Sequence, residues 1–500
     1  MKLLLLPPHR DVTCVPEAPE GWHVVDVARD FCQRVGARGL LARAAEAREQ
    51  AAATPSSLRE LLLLRAALAL FQRGSGEPHR PLRALGAALT ALSGPPSVVR
   101  VRLDDIELEG GTTERSVDVL RVVSGPAPYA EDLARAAEHL AGAERVRLWL
   151  EKDLQLPAAV TLASACPADV PLEVAGPFAE THRQVLSALP AFQRASFPQG
   201  VAPLRWRAVP LEEGGEPLGW VPEGASPPER GPWAGHVAPG ALLSPEALEA
   251  SGCRTVVVGF CTVDAAQVLG SDGRRLPLET LTRAVERLRA AGIHVVAEWW
   301  VGAPGVDEAA HERTCAWLGE RRLFDWVAGV RPFHWTRGRA GQDFGGVPVS
   351  FLSPPEDRDL ARSVPWEAPG SVAAGRQGEL LTTLAGRLLQ RAPLSPGRVA
   401  WALVHPPTPL ASGGSLTRLD GDCALVQLPA TLEGVVKPTW YAANLRTGGV
   451  LAVDARLAPL LARWERPAPA SEALASLPEA QRGKLEATLK SRGVLEGVHA

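Results

Sequence analysis

The sequence lacks both an excess of positive charge and a long apolar run. Its 500 residues carry 53 basic and 56 acidic side chains, which gives a net charge of −3 at pH 7. A chain without an overall positive field does not collect a polyanion, so we expect no nucleic-acid partner. No stretch reaches the roughly 18 uninterrupted apolar residues of a membrane-spanning helix, so we expect no membrane partner.

Secretion signals and paired cysteines are also missing. The apolar run Leu3–Leu6 is interrupted at once by Pro7 and Pro8, and it is far shorter than the core of a signal peptide. The seven cysteines are scattered and never form C-x-x-C, which indicates reduced thiols and no metal site built from cysteines alone. No G-x-S-x-G motif or phosphate-binding loop points to covalent or phosphoryl-transfer chemistry. We therefore expect a cytoplasmic protein without a metal ion.

The chain is long enough for about three domains of roughly 100–200 residues each. The run Lys2–Leu6 predicts a buried strand, residues 34–73 predict helices, and Val98–Leu103 predicts a further strand. Strands and helices then alternate over 126–189 and again over 235–330. This alternation is typical of parallel sheets covered by helices.

We predict an α/β protein of four segments. An open Rossmann-like domain with a helical N-terminal insertion covers 1–195, and a partial (β/α) barrel covers 196–360. A helical or irregular connector follows at 361–425. Short strands and helices over 426–500 predict a small domain resembling a winged helix.

The barrel segment resembles the radical SAM family over about 240–340. The resemblance rests on G-C-R-T-V-V-V-G-F at 252–260, A-V-E-R-L-R-A-A-G-I-H-V-V-A-E at 284–298 and V-G-A-P-G at 301–305. In that family a turn of the last kind approaches the adenosyl group of S-adenosylmethionine (SAM). The resemblance therefore implies a vestigial SAM-type pocket at Glu298, Gly302 and Gly305.

The motif that gives radical SAM enzymes their chemistry is absent. Those enzymes bind a [4Fe–4S] cluster through C-x-x-x-C-x-x-C, because the cluster requires thiolate ligands. The corresponding stretch, Leu204–Trp220, has three glutamates and no cysteine. We therefore predict a degenerate member of the family without a [4Fe–4S] cluster.

The N-terminal α/β segment resembles the cobalamin-binding domain of certain radical SAM enzymes. The matching residues are R-V-R-L-W-L at 145–150, L-P-A-A at 156–159 and V-P-L-E-V-A-G-P-F at 170–178. The D-x-H-x-x-G signature of base-off cobalamin binding is absent. SAM and cobalamin remain candidate cofactors, and none is assigned.

The C-terminal segment resembles PqqD-like domains, which bind the leader peptides of ribosomally made, modified peptides. The matching run is Y-A-A-N-L-R-T-G-G-V-L-A-V-D at 441–454, together with Leu489–Leu495. Such domains add an extended peptide to a sheet edge. The resemblance implies that Tyr441, Leu445 and Val450 contact a peptide.

Several single residues have two interpretations. Glu298, at a strand end, could bind an amine or form a structural pair with an arginine. His311 and Cys315 have the i, i+4 spacing of two metal ligands, although nothing nearby in the sequence completes a site. Cys261 could be a nucleophile or a small buried side chain. His334 and Arg337 could hold an anionic or aromatic group of a substrate, or lie in a solvated loop.

The leading hypothesis is a pseudoenzyme that binds a peptide or leader peptide and assists a catalytic radical SAM partner in modifying it. It has no catalytic residue of its own. The first alternative is an active peptide-modifying enzyme, a methyltransferase or another radical enzyme, that binds SAM or cobalamin through unrecognised ligands. The second is a purely structural scaffold.

Overall fold

The structure is a computed structural model, and it describes most of the chain. The described residues are 1–36, 55–72, 97–102, 105–208, 210–211, 218–223, 225–229, 231–264, 266–320, 323–339, 343–355, 357–388, 416–428, 439–445, 447–465 and 468–498, with single positions at 86, 89, 92, 93 and 404.

The strands are numbered here in chain order. They are β1 (Lys2–Leu6), β2 (Cys14–Pro16), β3 (Trp22–Asp26), β4 (Val99–Val101), β5 (Ile106–Leu108), β6 (Arg145–Trp149), β7 (Leu172–Ala175), β8 (Trp206–Ala208), β9 (Pro210–Leu211), β10 (Leu218–Val221), β11 (Trp233–Val237), β12 (Cys253–Val263), β13 (Gln267–Gly270), β14 (Arg275–Pro277), β15 (His294–Val301), β16 (Trp326–Pro332), β17 (Ser350–Phe351), β18 (Trp366–Glu367), β19 (Leu416–Leu419), β20 (Cys423–Leu428), β21 (Thr439–Asn444), β22 (Gly449–Val453), β23 (Ala468–Pro469) and β24 (Leu495–Val498).

The α-helices are numbered in the same way. They are α1 (Val27–Gly36), α2 (Pro55–Gln72), α3 (Ser116–Val122), α4 (Ala130–Glu138), α5 (Leu156–Ala165), α6 (Pro177–Thr181), α7 (Arg183–Ala188), α8 (Pro245–Ala250), α9 (Leu278–Ala290), α10 (Glu308–Glu320), α11 (Ala374–Leu388), α12 (Ala458–Ala462), α13 (Ala470–Ala473) and α14 (Glu479–Ser491). Among the residues described, no helix is both long and apolar enough to cross a membrane.

The chain divides into two compact units. The first comprises residues 1–28, 111–123 and 133–407, and the second comprises residues 29–110, 124–132 and 408–500. Both units are discontinuous in sequence, whereas the sequence predicted four consecutive segments.

The first unit contains a four-stranded parallel sheet in the order β3-β1-β6-β7. The side chains of Leu3–Leu6 on β1 are fully buried, as a strand at the centre of a parallel sheet requires. The predicted strands at Lys2–Leu6 and near 146–150 are confirmed. Strand β3 was not predicted, because His23 and the preceding prolines obscure its short apolar pattern.

A second sheet in the same unit forms a curled half-barrel. Five parallel strands follow one another in the order β10-β11-β12-β15-β16, and β9 and the β13–β14 hairpin extend the sheet in antiparallel pairing. The register of β12 on β15 places Gly259 beside Glu298. The predicted partial barrel is thus an α/β half-barrel.

Helices cover the outer face of the half-barrel. The periodic residues Leu281, Val285 and Leu288 of α9 are buried against the outward-facing side chains of the strands. This outer core also includes Trp299 of β15 and Leu384 of α11.

The second unit contains an antiparallel sheet in the order β20-β21-β22 and a smaller sheet in the order β23-β19-β24. One face of the first sheet packs on the C-terminal helices through residues such as Leu425, Ala442 and Trp464. The other face packs on α2, whose Leu62 lies in the same apolar cluster as Val426.

Two predicted elements lie elsewhere than expected. Helix α2, assigned from sequence to the N-terminal segment, belongs to the second unit. The strand predicted at Val98–Leu103 is the short β4, which pairs antiparallel with β5 and joins no parallel sheet. Both elements come before β6 in sequence, and we therefore assigned them to the same N-terminal domain as β6. The structure shows that neighbours in sequence belong to different units here.

Candidate functional site

Successive residues along each strand of the half-barrel point alternately to the outer face, which the helices cover, and to the inner face. On β12, Val256 and Val258 face the helices, whereas Val257 packs with Val296 and Ala328 on the other side of the sheet. The same alternation places Glu298 and Trp300 of β15 on this inner face, two residues apart near the carboxyl end of the strand. Active and binding sites of α/β sheets occur at such strand ends.

Glu298 of β15 contacts side chains from two other strands of the half-barrel, β11 and β16. Its side chain is 2% exposed, and its Oε2 atom lies 3.0 Å from Nε2 of His236 on β11. Its Oε1 atom lies 2.9 Å from Nε of Arg331 on β16. The His236 ring packs edge-on against Trp220, with centroids 5.4 Å apart. Glu298 therefore forms the ion pair with an arginine that was one of its two interpretations from sequence.

A cavity of about 670 Å³ opens at this end of the half-barrel. Four aromatic side chains, Trp300, Phe333, Trp335 and Phe344, form part of its wall. The Phe333 and Trp335 rings pack edge-on against Phe344, with centroids 4.9 and 5.6 Å away. The other lining residues are Glu114, Glu223, Ser271, Asp272, His334, Thr336, Asp343, Arg362 and Ser363.

The guanidinium of Arg362 enters this cavity from a fixed position. Its Nε atom lies 2.5 Å from Oδ1 of Asp153, and its Nη2 atom donates to Oδ2 at 3.0 Å. The Asp153 side chain is fully buried and also accepts a hydrogen bond from the Thr113 hydroxyl. Asp153 follows β6, so an element of the first sheet sets the position of a side chain in the cavity.

Of the two residues predicted to hold a substrate group, His334 lies in the lining of the cavity and Arg337 does not. Partial desolvation lowers the pKa of His334 below its ordinary value of 6.5, which favours the neutral ring. The backbone N–H of Arg337 donates to the carbonyl of Arg362 at 3.1 Å. Its guanidinium lies 3.5 Å from the carbonyl of Asp359.

The turn at Gly302 and Gly305 is occupied by the chain's own residues. Both glycines have positive φ, +87° and +72°. The Gly302 N–H donates to Nε2 of His311 at 2.7 Å, and the Gly305 N–H donates to the Ser371 hydroxyl at 2.9 Å. A Cβ on Gly302 would meet the side chain of Gln377 at 3.0 Å. The turn's donors and its open side are therefore taken, and this turn does not fit an adenosyl group without rearrangement.

His311 has a structural role that its sequence spacing did not indicate. It is completely buried, with Nε2 accepting from Gly302 and Nδ1 2.9 Å from the carbonyl of Asp307. Both ring nitrogens are engaged, so neither is available to a metal ion beside Cys315.

Six of the seven cysteines are buried, and Cys32 is partly buried. Burial raises the pKa of Cys14 to about 11 and that of Cys253 to about 12. It also raises the pKa of Cys261, whose thiol lies 3.7 Å from the carbonyl of Gly270, and that of Cys315. Raised values favour the protonated thiol, which is neither a nucleophile nor a cluster ligand. Cys261 is therefore a small buried side chain.

The donor set does not fit a [4Fe–4S] cluster. Cys253 and Cys261 lie eight residues apart on β12, which separates them by about 26 Å along an extended strand. Within the described ranges, no group of three or more His, Cys, Asp or Glu side chains could hold a metal ion. The thiolate geometry that such a cluster needs is not built by these residues.

Comparisons with known proteins give distant neighbours. No protein-family model and no curated protein matches the chain. Solved structures that match include the radical SAM methyltransferase TsrM from Kitasatospora setae with cobalamin and a [4Fe–4S] cluster bound, at 15% identity and a TM-score of 0.21. That match covers 51% of this chain and 46% of the other, so it spans about half the length of the neighbour.

A second structure of TsrM, with tryptophan substrate and a SAM analogue bound, matches at 13% identity and a TM-score of 0.25. It covers 81% of this chain and 89% of the other. Both neighbours are of the class that residues 240–340 resemble. At these TM-scores the likeness carries no argument about activity, and the function proposed below rests on the chain's own side chains.

The residues expected to contact a leader peptide lie in the second unit. Tyr441, Leu445 and Val450 pack against the apolar cluster that α2 forms with the β20-β21-β22 sheet. On that side the guanidinium of Arg59 donates to the carbonyl of Gly448 at 2.8 and 3.0 Å. The chain's own helix therefore covers the face to which these three residues belong.

Sequence reasoning missed most of the charged residues of the cavity. Glu114, Asp272 and Arg362 lie far apart in sequence and match no motif. Asp153 was detectable in principle, because it is a polar residue just after a predicted strand of a parallel sheet. Its arginine partner is 209 residues away, and no pattern joins the two.

Proposed function

We propose that the protein is a radical SAM-like binding protein that holds a segment of a peptide in the half-barrel cavity and works without an iron–sulfur cluster. Its role is to present that peptide to a separate modifying enzyme. The observation that carries the proposal is the open cavity, with an aromatic wall and a charged side chain, that of Arg362, fixed by the buried carboxylate of Asp153.

The aromatic wall suits a side chain of a peptide. Tryptophan and phenylalanine rings give large contact areas at small entropic cost. The edge-on packing of Phe333, Trp335 and Phe344 fixes those rings before a ligand arrives. A pre-formed apolar pocket with a few fixed polar groups is the usual form of a specific binding site.

The second unit offers a place for an extended peptide. In the described part of the chain, β22 pairs with β21 on one side and forms an edge of its sheet. An added strand would bond to this edge through its main chain. Because α2 covers the adjacent face, we propose the strand edge as the place of contact for a leader peptide.

Panning a displayed random-peptide library on the full-length protein tests peptide binding. Thr336 is an exposed residue of the cavity lining, so Thr336→Trp fills the mouth without removing a core side chain. The matched control is Thr383→Trp, at an exposed position of α11 outside the cavity. Enriched peptides should bind Thr336→Trp at least about tenfold more weakly and Thr383→Trp unchanged. A library with no enriched sequence, or equal loss in both variants, would contradict the proposal.

Anaerobic expression with iron and sulfide tests the proposal that the protein works without an iron–sulfur cluster. We expect a colourless protein without stoichiometric iron, measured by metal analysis, and no heat of SAM binding in calorimetry on the same sample. A brown protein with stoichiometric iron would overturn the claim that the protein works without a cluster and would favour the enzyme alternative. Deletion of 430–500 without any effect on peptide binding would remove the C-terminal part of the proposal.

A further inference from the structure

The four-stranded sheet of the first unit has an edge of the kind at which open α/β sheets bind ligands. Its strands run parallel in the order β3-β1-β6-β7, so the carboxyl ends of all four meet at one edge. Ligands of such sheets bind in the crevice outside these strand ends. Because residues 145–178 resemble a cobalamin-binding domain, cobalamin is the ligand to consider there. Its fit depends on what the chain itself places at this edge.

A segment from later in the chain already lies at this edge. Residues 357–364, here called the strap, follow the half-barrel in sequence and return to the first sheet. Nε of Arg362 lies 2.5 Å from the carboxylate of Asp153, which follows β6. The carbonyl of Ala361 lies 3.1 Å from Nε2 of His182, which comes after β7 and α6. The strap therefore crosses the carboxyl ends of β6 and β7.

Further bonds fix the strap to residues around the start of α3. The carboxylate of Asp359 accepts hydrogen bonds from the main-chain N–H of Ser116 at 2.9 Å and from its hydroxyl at 2.5 Å. The Leu360 N–H donates to the carbonyl of Glu114 at 3.0 Å, and the Leu360 side chain is fully buried. The guanidinium of Arg358 donates to the Glu114 carboxylate at 3.0 Å. Charge-assisted hydrogen bonds and one buried leucine thus hold the strap in a single position.

Two of the loops that follow the strands are closed as well. After β6, Oε1 of Gln155 accepts a hydrogen bond from the N–H of Glu151 at 2.6 Å. After β7, Gly176 has a φ of +107°, and a Cβ at this position would overlap the carbonyl oxygen of Leu150. Both loops therefore turn toward the chain itself, and neither leaves an open turn for a ligand.

The free space at this edge is also too small for a corrin. A cavity of about 430 Å³ lies beside the ends of β6 and β7, with Trp149, Gly176 and Val201 in its lining. The half-barrel cavity has about 670 Å³. Both volumes are those of sites for drug-sized ligands, roughly 300–1,000 Å³. Cobalamin, a corrin macrocycle with a nucleotide tail, is much larger than such a ligand, and the residues at this edge do not fit it.

We propose that the strap takes the place of a cofactor at the carboxyl edge of the four-stranded sheet, and that the protein binds no cobalamin. The strap covers the ends of β6 and β7, and its Arg362 and Ser363 form part of the wall of the half-barrel cavity. This inference goes beyond the proposed peptide binding and does not depend on it.

Equilibrium dialysis of the full-length protein against hydroxocobalamin tests the inference. Visible absorbance measures the cobalamin on each side of the membrane. We expect no saturable binding at concentrations up to about 100 μM. Dicyanocobinamide, which has the corrin ring without the nucleotide tail, is the second probe and should give the same result. Saturable binding of either compound at one molecule per chain would overturn the inference, whatever the outcome of the peptide experiments.

Hydrogen exchange tests separately whether the strap is fixed in place. The N–H of Leu360 donates to Glu114, and that of Val364 donates to the carbonyl of Trp335 at 2.9 Å, so both amides should be protected. Exchange of the strap amides as fast as in an unstructured peptide would overturn the inference, because a mobile strap would leave the strand ends open to a cofactor.

A matched pair of strap variants identifies the bonds that hold it. Asp359→Ala removes both bonds to Ser116 and should raise the exchange rate of the Leu360 amide about tenfold. Asp357→Ala is the control, because this side chain is 62% exposed and lies 3.8 Å from Arg115. It should leave the exchange of Leu360 unchanged. Equal exchange rates in the two variants would mean that Asp359 does not fix the strap, and would contradict its role as a fixed occupant of this edge.

Discussion

At the residue scale, the wall of the cavity depends on the ion pair of Asp153 and Arg362. The two partners differ in burial: the Asp153 side chain is fully buried, and that of Arg362 is 44% exposed. Loss of the arginine leaves a buried carboxylate without its partner, whereas loss of the carboxylate leaves an arginine that water can reach. We therefore expect Arg362→Met to lower the free energy of unfolding by about 3 kcal/mol and Asp153→Asn by about 1 kcal/mol.

Urea denaturation of the two variants and of wild type measures this difference. Arg337→Met is the control, since within the described ranges the Arg337 guanidinium makes a long contact, of 3.5 Å, to the carbonyl oxygen of Asp359. Its effect should stay below about 1 kcal/mol. If Asp153→Asn proved the more destabilising variant, the buried carboxylate would not be the partner whose charge most needs compensation.

Gly259 is a second residue on which the cavity depends. A Cβ at this position would overlap the Ser271 side chain and come within 3.0 Å of Nε1 of Trp300. We expect Gly259→Ala to destabilise the protein by about 1–3 kcal/mol, through overpacking, and to weaken peptide retention. Gly378→Ala, in α11 with nothing within 4 Å of the added methyl group, should instead stabilise by about 0.5–1 kcal/mol. Thermal unfolding of both variants compares them, and a stable Gly259→Ala would contradict the tight packing of Trp300.

The sequence predicted that Glu298 lies at a strand end. It did not decide whether Glu298 binds an amine or forms a structural pair with an arginine. Alternation along β15 is a local signal, so the inward direction of Glu298 and Trp300 follows from the sequence itself. Its contacts with His236 and Arg331 depend on the order of β11, β15 and β16 in the sheet, which no local pattern encodes. The turn at Gly302 and Gly305 was also predictable from a local pattern. The side chains that contact this turn could not be predicted, because two of them, Ser371 and Gln377, lie about 70 residues further along the chain.

At the element scale, α2 is the clearest case of a helix whose existence was predictable and whose location was not. The spacing of its leucines predicts a helix over 57–73, and the structure has one over Pro55–Gln72. Apolar side chains do not specify which sheet they cover, and β20 lies more than 350 residues further along the chain. Only the fold brings Leu62 against Val426.

That packing predicts a large effect of a core substitution in α2. Leu62 is 1% exposed and faces the β20-β21-β22 sheet, so we expect Leu62→Ala to cost about 2–5 kcal/mol. Hydrogen exchange should show the loss of protection in β20 and β21. The comparison is Arg59→Ala, on the same helix, which removes exposed hydrogen bonds to Gly448 and should cost about 1 kcal/mol or less. Unchanged protection in Leu62→Ala would mean that α2 does not support this sheet.

At the scale of the whole molecule, buried histidines make the stability dependent on pH. Burial, with a smaller contribution from Lys152, lowers the pKa of His9 from 6.5 to about 3. Burial also lowers the pKa values of His182 and His311. Below pH 6.5 the unfolded chain binds protons that the folded chain does not, so stability present above pH 6.5 is lost as the pH falls toward the folded pKa values.

For His9 the expected loss between pH 7.5 and 5.5 is about 1.4 kcal/mol, because the unfolded form titrates in this window and the folded form does not. Urea denaturation at the two pH values should therefore show a smaller difference for His9→Gln than for wild type, by about that amount. His139→Gln, at an exposed position, is the control and should retain the wild-type difference. An equal pH dependence in His9→Gln and wild type would mean that His9 is protonated in the folded protein, and the loop after β1 would then be open to water.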